Sequence, residues 1–167
     1  MKTSPLDVIT YGEAMTMFVA NETGELDQAM QFTKRIAGAE LNVSIGLSRL
    51  GMNVGWVSRV GNDSFGRFTL ATLQQEGINH QCVTVDERFP TGFQLKSKAE
   101  NGTDPKVEYF RKGSAASHLS VHDFDRAYFS QARHLHLSGV AAALSTDSLA
   151  LANHAAQEMR AMGKTIS

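Results

Sequence analysis

Residues 36–66 read IAGAELNVSIGLSRLGMNVGWVSRVGNDSFG, and this stretch decides the fold class. Gly38 marks a turn, where a residue without a side chain lets a ligand approach the main chain. Apolar residues then recur at helical spacing and predict an amphipathic helix that Gly51 ends. Asn42 falls in its first turn, where a ligand at a helix N-terminus meets backbone N–H groups and the side-chain amide. The stretch therefore predicts a site for a small polar ligand. The apolar face of the helix is predicted to be Leu41, Ile45 and Leu50, with Ala39, Val43 and Leu47 beside them.

Strand and helix patterns alternate around this stretch, which is typical of a doubly wound α/β fold. The predicted core strands are 7–11, 54–60, 82–85, 133–138 and 165–167. The predicted helices are the one after Gly38, 64–76, 120–129 and 146–162, where Leu149, Leu151, Ala155, Ala156 and Met159 form the apolar face of the last. Four further extended segments, 16–20, 31–36, 90–98 and 106–112, the last two separated by a polar turn at 100–105, are predicted to form a small separate sheet.

The amino-acid composition indicates the size, the partners and the location to expect for this protein. It has 167 residues, 42% of them apolar, which is enough for one domain with a sizeable core. The net charge of −1 gives no reason to expect nucleic acid or an anionic membrane surface as a partner. Cys82 is the one cysteine, and no apolar run has the length of a membrane span or of a signal-peptide core. These features predict a cytoplasmic protein.

Several single features have two interpretations. Glu13 follows the first predicted strand, so it either faces a ligand at the carboxyl edge of the sheet or is a solvated loop carboxylate. His134 and His136 share one face of a strand, but nothing else there specifies a metal site, so we interpret them as ordinary strand residues. The GKT run at 163–165 lacks the glycine that a phosphate-binding loop needs at position 158.

The segment YFRKGSAAS at 109–117 has a chemistry of its own. In a strand Tyr109 and Arg111 lie on one face, so a phenol and a guanidinium project together. Arginine binds a carboxylate or phosphate through two parallel hydrogen bonds, so Tyr109 and Arg111 together suit an anionic ligand. The alternative is an exposed strand with a solvated arginine.

Together these motifs resemble a known family. AGAELNVSIGLSRLG and GWVSRVGNDSFG are similar to the first signature of the ribokinase/PfkB sugar kinases, and the resemblance covers essentially the whole chain. Within that family, PTGFQLK at 90–96 and VEYFRKGSAASHL at 107–119 are most similar to 2-keto-3-deoxygluconate kinases.

The resemblance implies a mostly parallel sheet flanked by helices and a small β-sheet lid built from about residues 14–36 and 90–112. Residues 1–167 would then be the N-terminal part of a PfkB-type kinase domain. The implied reaction transfers the γ-phosphoryl group of ATP to a sugar hydroxyl with Mg²⁺, giving 2-keto-3-deoxygluconate 6-phosphate. A fructokinase-like enzyme of the family and a non-catalytic sugar-binding or assembly module are the alternatives. Family members commonly pair through their lids, which implies a homo-oligomer.

The resemblance also assigns site residues. Gly38, Ala39 and Asn42 would hold sugar hydroxyls, while Tyr109 and Arg111 would bind from the lid, Arg111 near the carboxylate or keto end. Gln94 occupies a position where close relatives often carry an aromatic residue, and a glutamine there can donate a hydrogen bond but cannot stack. The second family signature, whose last Asp is the general base, has no match in residues 1–167. The resemblance therefore places the general base and the ATP site beyond Ser167, and it implies that this chain alone neither catalyses nor binds the cofactors.

Overall fold

The computed structural model describes residues 5–99 and 102–167. The strands are β1 (Leu6–Tyr11), β2 (Met15–Ala20), β3 (Phe32–Ala37), β4 (Val54–Gly61), β5 (Val83–Asp86), β6 (Phe93–Lys96), β7 (Val107–Phe110), β8 (Ala132–His136) and β9 (Thr165–Ile166). The α-helices are α1 (Ala39–Arg49), α2 (Ser64–Gln75), α3 (Arg126–Ser130), α4 (Gly139–Ala142) and α5 (Thr146–Ala161). Three short 3₁₀ turns lie at Leu26–Gln28, Ala115–His118 and Val121–Asp123.

The main sheet has five strands in the order β5-β4-β1-β8-β9, and each neighbouring pair is parallel. Side chains alternate across it, so Ile9 and Tyr11 join the buried cluster that contains Leu151 and Met159 of α5. Trp56 of β4 belongs to a second buried cluster with Leu41 of α1. Two cores on opposite faces are what a parallel sheet covered by helices requires. The predicted α/β fold is confirmed.

The second sheet is mixed, with the order β3-β2-β6-β7. β2 and β6 run parallel, while the β2–β3 and β6–β7 pairs are antiparallel. One face packs on α2 through aromatic rings: Phe65 lies 5.6 Å from both Phe18 and Phe93, and Phe93 stacks on Phe110 at 4.7 Å between ring centroids. The predicted small separate sheet is confirmed in the described residues, while residues 100 and 101 of the predicted polar turn lie outside them.

Asp63 connects α2 to the small sheet. Its Oδ1 accepts hydrogen bonds from the backbone N–H groups of Phe65 and Gly66, and its Oδ2 accepts one from Thr91 N at 2.8 Å. Burial alone would raise the pKa of Asp63, but these N–H donors outweigh it and hold that pKa below its ordinary value. The ionised Asp63 therefore caps α2 and also fixes the chain just before β6.

The single helix predicted over 120–129 is wrong. Ser120 and Asp123 form a capping box around the short 3₁₀ turn, and Phe124 is extended. Asp125 then caps α3 by accepting from the backbone N–H groups of Ala127 and Tyr128. Two caps within six residues start two separate turns, because each cap residue has extended backbone angles. α4, after β8, has no counterpart in the predicted elements.

Three predicted apolar contacts are also wrong, and the first is Ala39, which is exposed on the first turn of α1. Leu50 is 79% exposed, since α1 ends at Arg49 and Gly51 reverses the chain at a φ of 87°. Leu149 is exposed because the buried stripe of α5 runs through Leu151, Ala155 and Met159, and at 3.6 residues per turn Leu149 points about 120° away from the middle of that stripe.

Candidate functional site

A cavity of about 740 Å³ opens between the end of the small sheet and α4. Tyr109 and Arg111 line one side, and the α4 region lines the other. The complete lining is Tyr109, Arg111, Lys112, Gly113, Ser117, Gly139, Val140, Ala143, Leu144 and Ser145. The volume is that of a small-molecule site, and its wall combines apolar side chains with a few polar groups.

Arg111 is fixed at the cavity wall by an ion pair. Its Nη2 lies 2.5 Å from Oε2 of Glu13, and its guanidinium carbon lies 6.0 Å from the ring centroid of Tyr109. The Arg111 side chain is 26% exposed, whereas that of Glu13 is 2% exposed. The guanidinium is therefore buried on the Glu13 side and open on the cavity side. The solvated-arginine alternative for this segment is wrong.

Glu13 is the buried partner of this pair, so its interpretation as a solvated loop carboxylate is wrong. Its Oε1 accepts a hydrogen bond from Ser114 Oγ at 2.5 Å. Burial raises the pKa of Glu13, and the contacts with Ser114 and Arg111 oppose that shift without cancelling it. The carboxylate contacts Arg111 and is not among the residues that line the cavity.

Gly38 begins α1 with a φ of 154°, a backbone angle that side chains rarely adopt. A Cβ on Gly38 would lie 2.5 Å from the backbone O of Glu13. The sequence-predicted need for a glycine in this turn thus has a steric cause. It also places the start of α1 directly against the residue that holds Arg111.

The remaining predicted residues do not line this cavity. Ala39 and Asn42 are exposed on the first turn of α1, and Asn42 N donates to Gly38 O at 2.8 Å. Gln94 is buried in β6 directly opposite Tyr109 of β7. Of the six predicted residues, the structure brings Tyr109 and Arg111 into the cavity, with Gln94 next to Tyr109.

Glu40 was not singled out from the sequence. It is buried in the first turn of α1, and its Oε1 accepts from Ser138 Oγ and from Ala141 N, the latter at 3.0 Å. It therefore ties α1 to α4, which forms the other wall of the cavity. An acidic residue in a first helical turn is the one sequence signal for it, and that signal also fits a solvent-exposed residue.

The raised pKa of Glu13 predicts a pH dependence of stability. The folded protein holds the Glu13 proton more tightly than the unfolded chain, so stability falls as pH rises from the ordinary glutamate value through the raised one. Thermal unfolding of the wild type and of Glu13→Gln, compared between about pH 4 and pH 7, tests this. The melting temperature of the wild type should fall relative to that of the variant as pH rises. A parallel course of the two curves would contradict the prediction.

In the part of the chain that the structure describes, no helix is long and apolar enough to cross a membrane. His134 and His136 lie on β8 beside the edge strand β9, where His134 hydrogen-bonds with Thr165 Oγ1 at 2.7 Å and both rings contact Ser167 Oγ. Over residues 5–99 and 102–167, no three or more His, Cys, Asp or Glu side chains are grouped to hold a metal ion.

Comparison with known proteins gives the class to which this fold and cavity belong. The family model described as pfkB family carbohydrate kinase matches residues 6–165. The chain therefore belongs to the pfkB family of carbohydrate kinases, as its motifs predict.

Particular relatives are similar over nearly all of this chain. It is 47% identical to the 2-dehydro-3-deoxygluconokinase of Bacillus subtilis strain 168, over 97% of this chain and 50% of that protein. The crystal structure of a PfkB protein from Polaromonas sp. JS666 matches at 52% identity and a TM-score of 0.94, covering 96% of this chain and 54% of that one. A putative ribokinase II from E. coli in complex with ATP and Mg²⁺ matches at 25% identity and a TM-score of 0.89, over 97% and 52% of the two chains. The chain thus spans about half the length of these relatives.

Proposed function

We propose that the complete protein transfers the γ-phosphoryl group of ATP to 2-keto-3-deoxygluconate, forming the 6-phosphate. The observation that carries this proposal is Arg111, a guanidinium held at the wall of a cavity of small-molecule size with its open side toward that cavity. A guanidinium recognises a planar carboxylate through paired hydrogen bonds, which favours a sugar acid over a neutral sugar. The B. subtilis relative supports this choice, because 2-dehydro-3-deoxygluconate is another name for 2-keto-3-deoxygluconate.

The roles of the other site residues follow from their positions. Tyr109 supplies a phenol and a ring face beside Arg111, and Gln94 supports it from the neighbouring strand. We propose that Gly38, Ala39 and Asn42, at the start of α1, meet sugar hydroxyls on the far side of Glu13. A ligand oxygen bound there would meet the backbone N–H groups of a helix N-terminus.

ATP with Mg²⁺ would supply the phosphoryl group and neutralise charge as it moves. The described residues offer no cluster of metal ligands, so we assign them no step of that transfer. The signature that carries the general-base Asp has no match in the 167 residues. We therefore propose that residues 1–167 alone are inactive and bind neither ATP nor Mg²⁺, and that they contribute the sugar-binding part of the domain.

Two further expectations stay proposals. We propose that the small sheet, β3-β2-β6-β7, pairs with that of a second copy to form a homo-oligomer. We also propose a cytoplasmic location, in keeping with a single cysteine.

Product analysis tests the proposed reaction. The complete product of the reading frame that encodes this chain is incubated with ATP, Mg²⁺ and 2-keto-3-deoxygluconate, and phosphorus NMR follows the products. We expect a sugar 6-phosphate and ADP to appear together. Calorimetric binding of the sugar acid without any phosphorylated product would instead support a non-catalytic sugar-binding module.

A further inference from the structure

We propose that Glu13 is a specificity-determining residue that sets how much positive charge Arg111 presents to the ligand. This inference rests on the proposed function, since it concerns the choice between a sugar acid and a neutral sugar. It assigns Glu13 a role through Arg111, without contact between Glu13 and the ligand.

The ion pair of Arg111 and Glu13 faces the cavity on the Arg111 side only. Arg111 reaches the cavity, while the Glu13 side chain is 2% exposed behind it. Both carboxylate oxygens are engaged, Oε1 by Ser114 Oγ and Oε2 by Arg111 Nη2. A ligand therefore meets the guanidinium directly and the carboxylate only through its electric field.

The Glu13 carboxylate is enclosed. Its side chain is 2% exposed, and its Oε1 lies so close to Gly92 that a Cβ there would be 2.8 Å away. Ser114 closes the same side of the carboxylate. The negative charge is thus held at a fixed distance from whatever binds Arg111.

A ligand carboxylate on Arg111 is attracted by the guanidinium and repelled by Glu13, and both effects are strong where water is excluded. A neutral sugar bound at the same place interacts only weakly with either charge. Glu13 therefore weakens the binding of the acid more than that of the neutral sugar, and it tunes the ratio of the two affinities.

Glu13→Gln tests this with the least change in shape. The glutamine amide can present its oxygen to Arg111 and its N–H to Ser114 Oγ, so both contacts persist while the charge is lost. Calorimetry on the complete protein gives the dissociation constants for 2-keto-3-deoxygluconate and for fructose. We expect the preference for the acid over fructose to rise about tenfold relative to wild type.

Two further variants separate charge from structure. Asp123→Asn makes the same chemical change at another largely buried pair, with Arg59 at 2.9 Å, away from the cavity, and it should leave the preference unchanged. Glu13→Asp keeps the charge but shortens the side chain, so both affinities should fall together. If Glu13→Gln folds poorly, Glu13→Asp still tests the proposal. A rise in the preference of Glu13→Asp for the acid over fructose would contradict the proposal, because this variant keeps the negative charge.

An unchanged or lower preference for the acid in Glu13→Gln would overturn the inference. The proposed substrate fails on a different result, a wild-type protein that binds fructose more tightly than the acid. The inference concerns the change in preference from wild type to variant, whereas the proposed substrate concerns the wild-type preference alone. The two failures are therefore distinguishable.

Discussion

Replacing Gly38 with alanine is expected to lower the free energy of unfolding by about 3 kcal/mol and to abolish detectable sugar-acid binding. The glycine has a φ of 154°, where a side chain is strained, and the added Cβ would press on the backbone O of Glu13 at 2.5 Å. Relief requires the start of α1 to move away from Glu13. Such a movement disturbs the proposed hydroxyl-binding turn and the support of Arg111 together.

Gly46→Ala is the matched control, because it lies in the middle of the same helix. A Cβ there meets nothing within 4 Å, so the change should stabilise the protein by about 0.5–1 kcal/mol through helix propensity. Urea unfolding of the complete protein measures both variants. Equal stability of Gly38→Ala and Gly46→Ala would show that the turn is not constrained as the structure indicates.

Arg111→Met is the second change with a large expected effect. Methionine retains much of the side-chain volume but leaves the Glu13 carboxylate buried without its cation, which should cost about 2 kcal/mol after allowing for the partial exposure of Arg111. Binding of the sugar acid should weaken about 100-fold, since the guanidinium supplies the charge and the paired donors. Thermal unfolding and calorimetry measure the two effects.

Arg126→Met provides the control for loss of an arginine. Arg126 pairs with Glu158 at 2.9 Å on the surface and is 65% exposed, so its loss should change stability by no more than about 0.5 kcal/mol. Adding Glu13→Gln to Arg111→Met should recover part of the lost stability, because no unpaired charge is then buried. If both arginine variants were equally stable, the buried ion pair would not have the role assigned to it.

Sequence reasoning predicted the features of this protein that depend on neighbouring residues. The alternation of strands and helices follows from the period of apolar positions, and the conformation of Gly38 follows from the turn that it begins. The two-residue repeat of a strand predicts that Tyr109 and Arg111 project together, and both line the cavity although β7 ends at Phe110. All of these are local rules, so one sequence suffices to apply them.

The contacts that complete the site join residues far apart in the chain, and they were not predicted from the sequence. Glu13 and Ser114 are 101 residues apart, and Glu40 and Ser138 are 98 apart. No periodicity connects such positions, since the order of strands in the sheet brings them together. One local prediction also failed: the single helix predicted over 120–129 is two separate turns, each with its own cap. The prediction used the spacing of apolar residues, which carries no information about caps.

The measurement that tests the central claim most directly is the ratio of kcat/KM values for two substrates of the complete protein. 2-Keto-3-deoxygluconate and fructose are each supplied with saturating ATP and Mg²⁺. The account predicts a clear preference for the sugar acid in the wild type that Arg111→Met removes. A wild-type preference for fructose, or a preference for the acid that survives the loss of Arg111, would contradict it.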